Sequence, residues 1–307
     1  MSLTSELRNQ NSPLRKWFNG KLNNAIIKLV SNHNNLMCRQ PIIRPLEGTD
    51  FALVGNAVCY AVRKYLSQTA NDANWIYKTI ANVGAKKLNV VPLLEKCAMY
   101  TNVPEEEAFL CLLLAVLEGT GRMGISNHPM LQPFIKGEKL FHLDKEFFEK
   151  WQPSITDAAA IIKTIPNTWQ SCANGINGRI ISNATFSLSN CIGGADAQII
   201  CSNVLIDVRT SAKSQPFTLE NLYQQISYCL LDTDDMYSIR QLVWYYSRQQ
   251  ALFIYPIEKL FRNLPSLRKE FADMILENYG NDNELFENFL DSKYKIQKLR
   301  NNFELFN

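Results

Sequence analysis

Long apolar runs are missing from this chain of 307 residues. The longest, Phe109 to Leu117, falls short of the roughly 20 residues a membrane-spanning helix needs. The start, Met1 to Gln10, is polar and has no apolar stretch of the kind a secretory signal carries. Glycine (13) and proline (12) are too scarce for a low-complexity chain. Charge of one sign is also scarce: the formal net charge is +3, less than a protein that coats nucleic acid usually carries. A local basic groove fits this balance. Histidine is limited to His33, His128 and His142, scattered and without metal-ligand spacing. Among 8 cysteines no pair has CxxC spacing, which speaks against a zinc site of that kind. Several stand in apolar runs, where a free thiol behaves as a small hydrophobe. These features lead us to expect a reduced, cytoplasmic protein without membrane insertion.

What is present is an ordinary globular composition, 46% hydrophobic and 20% charged, able to bury a sizeable core. The first half reads as helical. Helical periodicity covers Lys16 to Asn32 and Asp50 to Leu66, the second with Thr49 as a plausible cap. Pro104 and Glu105–Glu107 open another helix that Gly119 is expected to end near Glu118. Trp75–Ala81 and Pro92–Tyr100 are shorter candidates.

From Arg179 the period changes. Arg179–Leu188, Ala195–Cys201 and Val204–Thr210 read as strands, Thr218–Leu231 as a helix, and Leu242–Ser247 with Ala251–Tyr255 as a closing hairpin. Helices follow at Leu267–Tyr279, Asn283–Phe289 and Lys293–Phe303. We therefore expect an α/β fold. A mainly helical region over 1–170 would pack in part on a core over 171–260, with helices over 261–307; Asn174–Gly178 marks the turn before the first strand.

The segment Gly193 to Thr210 carries most of the chemistry. With Ser202-Asn203 as a hairpin loop, Cys201 faces Val204, Ile199 faces Ile206, Gln198 faces Asp207 and Asp196 faces Arg209. One face then holds Ala195, Ala197, Ile199, Cys201, Val204, Ile206 and Val208. The other gathers Asp196, Gln198, Asp207 and Arg209, with Ile200 and Leu205 near the turn. Neighbouring carboxylates suit a hard divalent cation such as Mg²⁺ or Mn²⁺, which could activate water and neutralise a phosphoryl group. A solvent-facing strand with an Asp196–Arg209 ion pair explains the same pattern.

Asp196, the Asp207-Val208-Arg209 element and the lead-in Gly193-Gly194-Ala195-Asp196-Ala197 together resemble the PD-(D/E)XK nucleases. Gln224 and Tyr228, four apart on one helix face, match the QxxxY element of the RecB-like branch. Leu53 to Tyr60 resembles an N-terminal helix of a bacterial family in this superfamily. The likeness spans roughly residues 50–260 and is densest over 183–255.

The resemblance implies a restriction-endonuclease-like mixed sheet flanked by helices. It implies a magnesium-dependent hydrolase acting on nucleic acid, DNA more than RNA, with a bacterial defence or repair role and a possible protein partner. Asp196 and Asp207 would hold the metal, and Gln224 and Tyr228 would support the catalytic lysine. The chain departs from the pattern at two places. Arg209 stands at the lysine position, and an arginine is a bulkier, permanently charged fork. Cys59 stands where the family has an aspartate. A protein that binds nucleic acid without cutting it, or serves as a subunit of a larger complex, is the alternative. Lys213 could reach in from the following loop. Asp50, Glu118 and Asp157 are candidates for a further acid. The basic stretch Lys293–Arg300 and Arg8, Arg15, Lys16 and Lys21 could touch a phosphate backbone. Gly119–Gly124 lacks the preceding strand and the Lys-Ser/Thr of a phosphate-binding loop.

Overall fold

Helices α1 (Leu3–Arg8), α2 (Pro13–Lys21) and α3 (Asn24–Met37) open the chain. The structure, a computed structural model, describes residues 2–124, 128–138, 145–170 and 178–280. The helices expected over 283–289 and 293–303, the basic stretch 293–300, and residues 142 and 174–177 lie outside that set. The single helix expected over Lys16 to Asn32 is split. Asn23 caps a new helix by accepting the Ile26 N–H at 3.0 Å, a role asparagine takes readily. Helix α4 (Phe51–Thr69) starts from Asp50, whose carboxylate accepts the Leu53 N–H at 2.9 Å, and not from Thr49.

Helices α5 (Ile80–Lys87), α6 (Val91–Ala98) and α7 (Pro104–Met123) follow, then α8 (Gln132–Ile135), α9 (Lys145–Ile162) and α10 (Ile165–Gln170). Gly119 does not end α7, which continues to Met123 and stops at Gly124, φ +100°. The glycines of this stretch serve packing instead. A β-carbon on Gly121 would run into the Ile80 carbonyl, and one on Gly84 into the Leu117 carbonyl. The backbones of α5 and α7 touch there, and only glycine permits that approach.

The rest is a mixed five-stranded sheet in the order β1-β2-β3-β4-β5: β1 (Ile180–Thr185), β2 (Asp196–Cys201), β3 (Val204–Arg209), β4 (Gln241–Tyr246) and β5 (Ala251–Pro256). Neighbours are antiparallel except β3 and β4, which run parallel. Helix α11 (Leu219–Leu231) makes the crossover that a parallel pair requires. Helices α12 (Ile257–Leu260) and α13 (Leu264–Tyr279) close the described chain. None of its helices is long and apolar enough to cross a membrane.

Both faces of the sheet are covered. Ile199, Cys201, Val204, Ile206, Val208, Val243 and Tyr245 share a core with α4, α7 and α9. Ile200, Leu205, Leu242, Trp244 and Tyr246 share the other with α2, α11 and α13. The hairpin register matches the expectation at Cys201↔Val204 and Ile199↔Ile206. The face assignment needs correcting further along: Ala195 and Ala197 belong to the second core, with Ile200 and Leu205. The β1–β2 pairing skips Asn183 and Gln198, and Asn183 takes φ +53°, which breaks the pleat there.

Buried ion pairs among the described residues include two that join helices of the first half to their neighbours. Arg248, between β4 and β5, and Asp157 of α9 have no exposed side-chain surface and bond through both arms of the guanidinium. Lys64 of α4 joins Glu107 of α7 at 2.7 Å. His33 is packed between the Phe253 and Phe217 rings, centroids 3.8 and 4.8 Å away, and meets the Tyr255 hydroxyl at 2.9 Å.

A methyl group at Gly84 has only backbone to push against. Gly84→Ala is expected to lower unfolding free energy by about 1–3 kcal/mol or more, read by urea denaturation. Burial pushes the His33 imidazole down from 6.5 to about 3. Between those values the unfolded chain binds a proton that the folded chain refuses, so stability falls with falling pH by about 1.4 kcal/mol per unit. From pH 6.5 to about pH 5 the denaturation midpoint should drop in the native protein and drop less in His33→Phe.

Candidate active site

The beginning of β2, the end of β3, the last turn of α7, the middle of α4 and the outward face of α11 meet at one end of the sheet. The β2–β3 pairing stops at Ile199↔Ile206. Beyond it Gln198 turns its side chain into the gap, and its Oε1 accepts the Val208 N–H at 2.8 Å. That wedge separates Asp196 from Arg209, so the expected cross-strand pair between them does not form. The solvent-facing alternative fails as well, because Asp207 is buried and Ile200 and Leu205 lie in the core.

Arg209 turns to its own strand and to α11. Its Nε donates to Asp207 Oδ2 at 2.6 Å and its Nη2 to Gln224 Oε1 at 2.8 Å. Gln224 Nε2 donates to the Tyr228 hydroxyl at 3.0 Å and to Thr4 Oγ1 at 3.3 Å. Asp207, Arg209, Gln224 and Tyr228 thus form one hydrogen-bonded row, brought together as their spacing predicts. Burial works against the Arg209 charge, but Asp207 outweighs it, and the pKa of Arg209 is raised. Burial pushes the Tyr228 phenol far up, so it stays protonated.

Asp196 has different partners. Arg122, at the end of α7, donates to both its oxygens, Nη1 to Oδ1 at 3.2 Å and Nη2 to Oδ2 at 2.7 Å. Asn183 Nδ2 donates to Oδ2 at 3.0 Å. The Nε of Arg122 also donates to Glu118 Oε1 at 2.9 Å. Arg63 of α4 completes the group: Nη1 reaches Glu118 Oε2 at 3.4 Å and Nη2 the Gln198 carbonyl at 3.0 Å. Burial alone would raise the Glu118 pKa, but Arg63 and then Arg122 outweigh it, and the pKa is lowered. The Cys59 thiol lies beside Gln198, 3.9 Å from its Oε1, and burial pushes it up to about 11.

Of the three candidate acids, only Glu118 enters the site. Asp50 caps α4 and Asp157 pairs with Arg248. Arg63 and Arg122 were not anticipated. Reading Gly119 as a helix end hid Arg122, because only a continuous α7 carries its side chain one turn past Glu118. That i, i+4 spacing was the available signal.

These residues do not fit the divalent cation that the resemblance implies. A hard cation needs several oxygen ligands with negative charge to spare. Here Glu118, Asp196 and Asp207 are matched by Arg63, Arg122 and Arg209, and each carboxylate already accepts from a guanidinium. Cys59, protonated at neutral pH, adds no charge. Among the described residues no group of three His, Cys, Asp or Glu could hold a metal ion.

Two cavities flank the row and share Thr4, Asn56, Gln198 and Gln224. One, about 450 Å³, lies over Asp196, Glu118 and Arg122. The other, about 520 Å³, opens beyond Arg209 and is lined by Arg8, Lys213, Thr210, Ser211 and Asn221. Neither the Arg8 guanidinium nor the Lys213 ammonium has a hydrogen bond or ion pair among the described residues. The chain matches no known protein-family model, no curated protein and no solved structure.

A carboxylate crowded into a vacant metal site is relieved when it is neutralised. One that holds a guanidinium is missed. Asp207→Asn is therefore expected to destabilise the protein by about 1.5–3 kcal/mol, the range for hydrogen bonds to charged groups, measured by urea denaturation in chelator. A gain in stability would instead favour Asp207 as a metal ligand.

Proposed function

We propose that this chain is a nuclease-like protein of the PD-(D/E)XK kind that binds nucleic acid, DNA in preference to RNA, without cutting it. One observation carries the reading: every carboxylate of the centre is already bonded to an arginine of the same chain. Hydrolysis of a phosphodiester needs a metal-bound water or a general base. Asp207 is tied to Arg209, Tyr228 keeps its proton, and an arginine cannot serve as base. The chemistry left to the site is that of cations facing an anion. The order helix, three strands, helix, strand supports the superfamily reading, with α4 before β1 and α11 between β3 and β4. So does the contiguous row Asp207, Arg209, Gln224 and Tyr228.

In the cleft, Arg209 presents the edge of a guanidinium whose other bonds are fixed, a pre-organised donor for phosphate. Arg8 and Lys213, whose charged groups have no partner among the described residues, would hold neighbouring phosphates as point charges. Thr210 and Ser211 supply hydroxyls on the same wall. These contacts read the backbone and not the bases, so affinity is set by charge and sequence matters little.

Fluorescence anisotropy with labelled single- and double-stranded DNA and RNA tests this. Binding should weaken steeply with salt as counterions are released, and the Arg8→Glu, Lys213→Glu double variant should bind at least about tenfold more weakly. Gels run beside it with Mg²⁺ or Mn²⁺ should show intact strands. Metal-dependent cutting lost in Asp207→Ala would overturn the non-cutting reading in favour of an active nuclease that tolerates Arg209. Failure to bind any strand would leave the partner-subunit reading.

A further inference from the structure

We infer that the cleft beyond Arg209 takes the unpaired nucleotides of a single strand, with the exposed ring of Phe51 as the platform on which a base stacks. This substrate class, a single strand in preference to a duplex, presupposes the nucleic-acid binding proposed above.

Phe51 is the first residue of α4, and it is 56% exposed. Every other phenylalanine among the described residues is buried in one of the two cores or packed against it. A lone exposed apolar side chain needs no explanation. This one, however, lines the cavity of about 520 Å³ that also holds Arg8, Arg209 and Lys213. The helix period sets the rest of that wall. Leu53, Val54, Ala57 and Val58 are buried, so the outward stripe of the first two turns is Phe51, Ala52, Gly55 and Asn56. All four line the cavity. Ala52 and Gly55 leave the wall low between the ring and the Asn56 amide. The Asn56 side chain bonds to no other described residue, and its amide offers both a donor and an acceptor.

The cleft therefore offers two kinds of contact side by side, cations on one wall and an aromatic ring with an amide on the other. Phosphate answers to the first and a base to the second. A cationic groove that carries an exposed aromatic ring is the chemistry that holds single strands, because an unpaired base has a free face to stack. In a duplex the faces are covered by neighbouring bases, and only the edges are open in the grooves. Phe51 cannot stack there unless a base is first taken out of the helix, which costs free energy that a single strand does not spend. The size of the cavity agrees. It lies in the range of pockets that enclose a small organic molecule, a scale that suits a nucleotide and not a double helix. Stacking is also indifferent to base identity, since every base has such a face. It adds affinity to the backbone contacts without adding a sequence preference.

The test compares three labelled ligands of equal length: oligothymidylate, the same strand built from tetrahydrofuran abasic units, and a duplex. Binding is read by anisotropy over a range of salt for the native protein, Phe51→Ala, Phe51→Leu and Phe51→Trp. The native protein is expected to bind oligothymidylate more tightly than either the abasic strand or the duplex. Phe51→Ala should weaken oligothymidylate binding at least about fivefold, the low end of what one stacked base contributes. It should leave the abasic strand unaffected and the salt slope unchanged, because no phosphate contact is removed. Phe51→Leu, which keeps an apolar side chain of similar reach, should behave as Phe51→Ala does. Phe51→Trp should restore binding, and its added indole emission should be quenched by oligothymidylate and not by the abasic strand. The ring is exposed, so these variants open no hole in the core. Native protein that binds the abasic strand or the duplex as tightly as oligothymidylate would overturn the inference, as would a Phe51→Ala variant that binds oligothymidylate undiminished. Either result leaves the binding proposal standing. Native protein that binds none of the three ligands at any salt would remove both.

Discussion

A carboxylate that is largely buried is poorly screened by water, and left unpaired it costs several kcal/mol. Glu118, Asp196 and Asp207 are gathered at one end of the sheet with their side chains 13, 19 and 6% exposed, and the arrangement around them follows from the need to neutralise them. The cations must arrive from elements that are rigid and correctly placed. Arg63 comes from the buried face of α4, Arg209 from the strand that carries Asp207, and Arg122 from the last turn of α7. The third requires that α7 run on as a helix past Gly119, along the stretch where Gly84 and Gly121 let α5 and α7 touch through their backbones. That helix length delivers Arg122 to Asp196. The cleft beyond, which Glu220 also lines, holds two cations without a side-chain partner among the described residues, Arg8 and Lys213.

The parts legible in the sequence were those fixed by neighbours along the chain. Alternation through Ile199 and Ile206 set the hairpin register, because a slip by one residue would have turned the whole apolar set outward. The four-residue spacing of Gln224 and Tyr228 put them on one helix face, and they bond to each other. The order of strands and the crossover helix came from the change of period near Arg179. What escaped was decided across the chain. The kink at Asn183 and Gln198 arises between two strands and moves Ala195 and Ala197 to the opposite core. Gly119 carries the same sequence signal whether it stops a helix or admits a neighbouring one. Glu118, Asp50 and Asp157 were indistinguishable as acids; their partners separate them, Arg63 and Arg122 for Glu118, the Leu53 N–H for Asp50 and Arg248 for Asp157.

Arginine at position 209 is best understood by what its shape permits. A lysine ammonium is a single point from which bonds radiate, and its pKa shifts readily in a buried site. The guanidinium spans two partners in fixed directions, so Arg209 ties β3 to α11 by holding Asp207 and Gln224 together. Gln224 can then present its amide N–H to Tyr228 and Thr4. Arg209 acts as a clip between elements, a role that a single ammonium would fill less well.

Three residues keep the centre from gathering negative charge. Cys59, protonated, adds none. Arg209 keeps its positive charge but fastens it to Asp207. Arg122 adds a positive charge directly between Asp196 and Glu118. Together they give a closed electrostatic account in which carboxylates and guanidinium groups match one for one. The charge of the centre is balanced by side chains of the same chain, drawn from α4, α7 and β3.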